Sequence, residues 1–84
     1  MSKCQKLLER LLSKPKDFAW SEAVSLLKLM GFEVIYGKGS RRKFMHKKTK
    51  ALIILHEPHP NKIMKSYAIN EMIDALEGGG FLDE

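Results

Sequence analysis

The chain has 84 residues, of which 44% are hydrophobic and 30% are charged, and its formal net charge is +5. This length suits a single domain spanning residues 1–84, and the composition is that of a folding chain rather than a disordered one. The lone Cys4 cannot form an internal disulfide, and no apolar run approaches the ~18 residues of a membrane span. We therefore expect a cytoplasmic protein with no membrane segment.

Two helices are predicted before any strand. Apolar residues at helical spacing follow a capping-box pattern formed by Ser2 and Gln5, which predicts a helix over residues 3–13. A second apolar stripe runs over residues 20–30 and has the same period. Gly31 follows it directly and is placed to end this second helix.

Three strands come next and are predicted to form an antiparallel meander. A period of two marks strands over residues 32–36 and 41–46, and the apolar run 51–55 marks a third strand. Both connecting turns are too short for a parallel crossover. With the helices packed on one face of the sheet, the expected class is α+β with the order α-α-β-β-β-α.

The last helix is predicted between a proline loop and a run of glycines. Two prolines shortly after the third strand exclude further ladder pairing there. Apolar residues at helical spacing then indicate a helix that starts near Ser66, whose side chain is placed to cap it, and ends before Gly78. We expect residues 81–84 to form a loosely attached tail.

The turn lengths predict a register and hence two distinct faces of the sheet. If Val34 and Phe44 face each other under the helices, the first turn consists of residues 38–40 and offers a glycine for a positive φ angle. A tight second turn then places Arg41 opposite His56. These two side chains become cross-strand neighbours on the uncovered face.

Positive charge is concentrated in the middle of the chain. Between Glu33 and Glu57 there is no acidic residue, and this stretch carries +7 while the rest of the chain carries −2. A basic patch on a near-neutral body attracts polyanions, and arginine binds phosphate through paired hydrogen bonds. The alternative interpretation is a solvated hairpin whose lysines protect an edge strand.

Histidine spacing gives no support for a metal site. His56 and His59 are three residues apart, whereas the helical zinc motif needs a spacing of four, and Pro58 disfavours a helix there. We therefore predict neither a metal ion nor another cofactor. Histidine nevertheless suits proton transfer near neutral pH, which makes these residues candidates for a general acid or base.

Three short motifs, in order, resemble the HicA toxin family of bacterial toxin–antitoxin systems. They are Leu26-Leu27 followed by Met30-Gly31-Phe32 and Val34, then Gly39-Ser40-Arg41 followed by Phe44 and His46, and finally His59-Pro60 ahead of the last helix. The resemblance covers residues 18–82 and leaves an extra N-terminal helix in residues 1–15. It implies a fold like that of a double-stranded-RNA-binding domain, metal-independent cleavage of mRNA and neutralisation by a HicB antitoxin.

Arg41 stands where the resemblance places the family's catalytic histidine. Arginine stays protonated and is no practical base, but it can stabilise negative charge on a phosphate. Three explanations remain open: an inactive protein, a subgroup with another base, or an RNA-binding relative that does not cleave. In the second, His56 removes the proton of a ribose 2′-hydroxyl while Arg41 and Lys43 stabilise the transition state. His46 is a weaker candidate, since the register turns it toward the helices, and His59 lies on a loop of unfixed course.

The sequence is therefore interpreted as a toxin-like protein that binds and cleaves mRNA. The residues expected to contact RNA are Lys38, Ser40, Arg41, Arg42, Lys43, Lys47, Lys48, Lys50 and His59. A non-catalytic RNA-binding module is the main alternative, and an interaction protein for an acidic partner is the third. Ile35, Leu52 and Ile54 fall on the uncovered face, which is unusual unless an antitoxin or a second copy of the chain covers them.

Overall fold

The fold is described by a computed structural model over residues 3–37, 39, 41–58 and 61–82. Its elements are α1 (Lys3–Leu12), α2 (Trp20–Leu29), β1 (Phe32–Tyr36), β2 (Arg41–His46), β3 (Leu52–His56) and α3 (Ser66–Gly78). The strands form one sheet in the order β1-β2-β3, and both neighbouring pairs are antiparallel. The predicted α+β class and element order are confirmed. No helix in the described ranges is long and apolar enough to cross a membrane.

Both predicted strand registers are confirmed. Phe44 in β2 lies opposite Val34 in β1 and Ile53 in β3. The Gly37 amide donates a hydrogen bond to the Arg41 carbonyl, which closes the first hairpin around three residues. Within that turn, Gly39 has a φ of +62°, a left-handed conformation that glycine adopts without steric cost.

The hydrophobic core lies between the helices and one face of the sheet. Phe44 is fully buried there, and its ring meets the edge of the Trp20 ring at a centroid distance of 5.9 Å. Fully buried side chains also come from α1, α2 and α3: Leu11, Leu26, Leu27, Ile69, Met72 and Leu76. Because every helix contributes to one cluster, the opposite face of the sheet remains uncovered in the described structure.

The N-terminal helix is part of this core. Leu11 of α1 is fully buried, and Arg10 donates a hydrogen bond of 2.7 Å to the Glu22 carboxylate on α2. Glu22 also accepts a hydrogen bond from the Ala19 amide at the start of α2, so one carboxylate caps α2 and holds α1. The hydrogen bond from Arg10 lowers the pKa of Glu22, while partial burial opposes this effect.

Three predictions about α3 and the residues after it are wrong, the first being its end, since α3 includes Gly78 instead of stopping before it. Ser66 does not cap α3 but is its first helical residue, and Lys65 takes the N-cap position without a side-chain hydrogen bond. Phe81 is not in a loose tail, because its ring lies 5.0 Å from that of Phe32 and 5.0 Å from that of His46. Its amide also donates to the Leu76 carbonyl. The capping-box residue Ser2 lies outside the described residues.

Gly31 supplies the first testable feature of the fold. Its φ is +98°, and a Cβ added there would lie 2.9 Å from Nε2 of His46. We expect Gly31→Ala to lower the free energy of unfolding by roughly 1–3 kcal/mol, because the backbone conformation becomes strained and the imidazole must shift. Urea unfolding measures this change. The matched control is Gly78→Ala, where a Cβ meets no atom within 4 Å and helix propensity favours alanine. Equal free energies of unfolding for the two variants would contradict the conclusion that the position of Gly31 requires glycine.

The Glu22 carboxylate gives a pH-dependent prediction. Its pKa in the folded protein lies below the ordinary value of 4.5, so its stabilising effect is present above pH 4.5 and is lost as the pH falls through the lowered pKa. We expect Glu22→Gln to have a lower Tm than the wild type at neutral pH. The difference should shrink as the pH falls below 4.5. Thermal unfolding measured across this range, with exposed Glu71→Gln as control, tests the effect; a constant difference would contradict it.

Candidate functional site

The uncovered face of the sheet combines cations with exposed apolar side chains. Lys43 in β2 lies between Ile35 in β1 and Ile54 in β3, directly opposite both in the register. The exposed fractions are 40% for Ile35, 47% for Ile54 and 52% for Leu52. We call this surface the open face. Its composition suits a partner that offers both negative charge and apolar groups.

Arg41 and His56 form the end of the open face. They are opposite each other in the register of β2 and β3, as predicted, and both side chains are exposed. Directly opposed residues of antiparallel strands have Cα atoms roughly 4.5–5.5 Å apart. A guanidinium and an imidazole at that spacing can both reach one phosphodiester group. The structure therefore brings together the two residues that the sequence predicted to be catalytic.

Arg42 points away from this pair. Its side chain shares the covered side of β2 with Phe44, and it forms an ion pair with Glu57 in which one guanidinium nitrogen lies 3.1 Å from the carboxylate. The two side chains are only 16% and 17% exposed. The guanidinium also lies over the Tyr36 ring, 5.0 Å from its centre. Arg42 was predicted to bind RNA, but in this conformation its charge is already compensated by a carboxylate.

The contacts of Arg42 connect two loops at the edge of the site. Its Nη1 donates hydrogen bonds to the carbonyl oxygens of Gly39, at 2.7 Å, and Arg41, at 2.9 Å. Glu57, which directly follows His56, is also bound by Lys62 at 2.6 Å. These contacts hold the first hairpin turn against the segment that leaves β3. Arg42 is therefore suited to joining these two segments rather than to binding a ligand.

The remaining predicted cations do not join this group. Lys47, Lys48 and Lys50 are exposed in the turn between β2 and β3, at the opposite end of the sheet from Arg41. The strand of six residues between the two ends spans roughly 20 Å. The basic stretch thus forms two separate patches. Three more predicted residues, Lys38, Ser40 and His59, lie outside the described residues.

His46 has a structural role on the covered side, as the register predicted. Its Nδ1 accepts hydrogen bonds from the amides of Lys48 and Thr49, so Nε2 carries the proton and donates it to the Met30 carbonyl at 3.0 Å. The imidazole also packs edge-on against Phe32. Both ring nitrogens are engaged, which removes His46 from the candidates for proton transfer.

A cleft of about 830 Å³ begins at His56 and was not foreseen from the sequence. Its walls come from the segment between α1 and α2, the segment after β3 and the first turn of α3. Three exposed lysines lie along it: Lys14, Lys16 and Lys65. Lys14 and Lys16 are two residues apart, but Lys65 is far from both in sequence, and no local pattern connects it with them. Within the described ranges, no three His, Cys, Asp or Glu side chains are grouped so that they could hold a metal ion.

Comparison with known proteins identifies one family. The model of a family described as the HicA toxin of bacterial toxin–antitoxin systems matches residues 20–80, which is most of the chain. No curated protein and no solved structure matches the chain. The matched region contains Arg41, His56 and the whole open face. Lys14 and Lys16, by contrast, precede the matched region.

Proposed function

Because the chain belongs to the HicA toxin family, we propose that this toxin of a toxin–antitoxin system binds mRNA and cleaves it without a metal ion. The observation that carries the proposal is the placement of Arg41 opposite His56 at the exposed end of the sheet. This pair supplies a base and a fixed positive charge where the family's usual histidine is absent. Family membership supports RNA as the ligand, and the cations of the open face fit its phosphates.

In the proposed reaction, the neutral imidazole of His56 accepts the proton of a ribose 2′-hydroxyl. The 2′-oxygen then attacks the adjacent phosphorus, and the bond from phosphorus to the 5′-oxygen of the next nucleotide breaks. Arg41 and Lys43 stabilise the additional negative charge on the phosphoryl oxygens in the transition state. The leaving 5′-oxygen takes a proton from water, and the imidazolium of His56 returns its proton to the resulting hydroxide. The products are a 2′,3′-cyclic phosphate and a free 5′-hydroxyl.

A HicB-type antitoxin is the proposed protein partner. Ile35, Leu52 and Ile54 expose apolar surface on the same face as Arg41 and Lys43. An acidic antitoxin that covered this face would bury the apolar side chains and neutralise the cations, and it would also deny RNA access to His56. The exposed apolar and cationic side chains of the open face are therefore what supports an antitoxin as the partner.

The role of His56 is tested by RNA cleavage with His56→Ala. We expect cleavage to fall by roughly 10²–10⁴-fold, because a general base contributes about this much to the rate. Cleavage by the wild type should persist in excess EDTA. Asn70→Ala, an exposed change on α3, is the control and should retain full activity. Undiminished cleavage by His56→Ala would remove His56 from the mechanism, and loss of wild-type activity in EDTA would contradict metal independence.

The second candidate is an RNA-binding module without catalysis, which is favoured by the single fact that Arg41 replaces a histidine. Wild-type protein that binds RNA but leaves it intact would establish this alternative. Binding itself is tested by the dependence of affinity on salt. The logarithm of the association constant falls linearly with the logarithm of the salt concentration. Arg41→Gln and Lys43→Gln should each make this negative slope shallower by about 0.7, since each removes one phosphate contact to a single strand.

Arg42→Gln is the matched control for these binding measurements. It removes the same charge from the neighbouring position, but its guanidinium is paired with Glu57 on the covered side. We therefore expect a lower Tm and an unchanged salt slope. A slope reduced as much as in Arg41→Gln would show that Arg42 leaves Glu57 to bind RNA.

A further inference from the structure

The cleft beside His56 carries a positive charge that the proposed reaction does not use. Lys14, Lys16 and Lys65 line it, and none of them forms an ion pair with any residue that the structure describes. Among the described residues, Glu57 is the one acidic side chain that lines the cleft, and it is bound by Arg42 and Lys62, which do not line it. Within the described residues, the cleft thus places three lysines without ion-pair partners beside the candidate base.

The cleft also contains an aromatic surface. The side chain of Tyr67 lines it and is 61% exposed, although tyrosine is a large and partly apolar residue. Met64 and Ala68 are buried beneath and give the cleft an apolar floor. Lysines that follow a groove, together with an exposed aromatic ring, are the features by which proteins bind single-stranded nucleic acid without reading its sequence.

The two walls of the cleft are fixed to each other by backbone hydrogen bonds. The Met64 amide donates to the Phe18 carbonyl at 2.7 Å, and the Trp20 amide donates to the Lys62 carbonyl at 2.7 Å. Arg10 holds the segment between α1 and α2 through the Asp17 carboxylate, at 3.1 Å. The lysines thus stand on a rigid frame, so that binding does not require the walls to assemble.

The geometry points to a second RNA subsite in this cleft, which holds the single strand on one side of the phosphate that is cleaved at His56. Lys14, Lys16 and Lys65 contact successive phosphates, and one base stacks on Tyr67. This inference rests on the proposed function, since it needs RNA as the ligand of the Arg41–His56 pair. Lys14 and Lys16 precede the part of the chain that matches the family. The N-terminal segment of this chain therefore adds substrate contacts of its own.

Binding of two RNA lengths tests the subsite. The probes are fluorescent 2′-O-methyl oligouridines of about three and about twelve nucleotides, which cannot undergo attack by a 2′-hydroxyl; only the longer one extends well beyond the reaction centre. We expect the double variant Lys14→Gln, Lys16→Gln to weaken binding of the longer probe and to leave that of the shorter probe unchanged. Between about 50 and about 200 mM salt, its loss of affinity should be roughly sevenfold smaller than that of the wild type, since two phosphate contacts are missing.

Two further variants and one control complete the experiment. Tyr67→Ala should weaken binding of the longer probe at least about fivefold, and Tyr67→Phe should not, because stacking needs the ring and not the hydroxyl. The control is the double variant Lys3→Gln, Lys6→Gln, which removes the same charge from exposed positions of α1 that do not line the cleft. Tm values confirm that every variant is folded.

The outcomes separate this inference from the proposed function. If the wild type binds the longer RNA and the Lys14, Lys16 variant binds it equally well, the subsite is refuted while the proposed function stands. If the variant loses binding only to an acidic antitoxin protein, the occupant of the cleft is a protein and not RNA. If the wild type binds neither probe at low salt, RNA binding itself fails, and the subsite fails with it.

Discussion

Burial of Phe44 is the constraint on which the arrangement of the site depends. Because side chains alternate along a strand, fixing one aromatic ring under the helices also fixes the direction of every neighbour in β2. Arg41 and Lys43 must then lie on the open face, and Arg42 must share the covered side with Phe44. Three consecutive cations that look equivalent in sequence thus acquire different roles. A shift of one residue in this register would exchange those roles and separate Arg41 from His56.

Local patterns were sufficient to predict the helices, the strands and both hairpin registers, since each depends on residues close together in the chain. The pairing of Arg41 with His56 followed from turn length alone. Two contacts join segments that are distant in the chain, namely Arg42 with Glu57 and Phe81 with Phe32. The spacing of apolar residues does not predict such contacts. The alternation that correctly placed Phe44 under the helices already turned Arg42 to the same side, although its charge favoured a ligand-binding interpretation. The cleft was beyond prediction, because its walls come from three separate parts of the chain.

The basic stretch is divided between the two ends of the sheet, so the cations beside His56 are separate from those of the second turn. Arg41 and Lys43 lie beside a residue that can transfer a proton, whereas the lysines of the second turn lie roughly a strand length away. Distant cations of this kind contribute through the long-range field, which raises the rate of encounter with a polyanion and weakens with salt. Under the proposed function, the two groups of cations would therefore act on RNA over different distances.

The double use of the Glu22 carboxylate has a consequence for how the protein folds. It satisfies the Ala19 amide at the start of α2 and also accepts a hydrogen bond from Arg10 of α1, so one side chain both caps α2 and joins α1 to it. Leu11 of α1 is meanwhile buried among residues of the family-matched region. From these contacts we expect residues 3–17 and the remainder of the chain to unfold together. Removing the N-terminal helix would therefore take Leu11 out of the core and leave the Glu22 carboxylate without Arg10, although the bond from the Ala19 amide would remain.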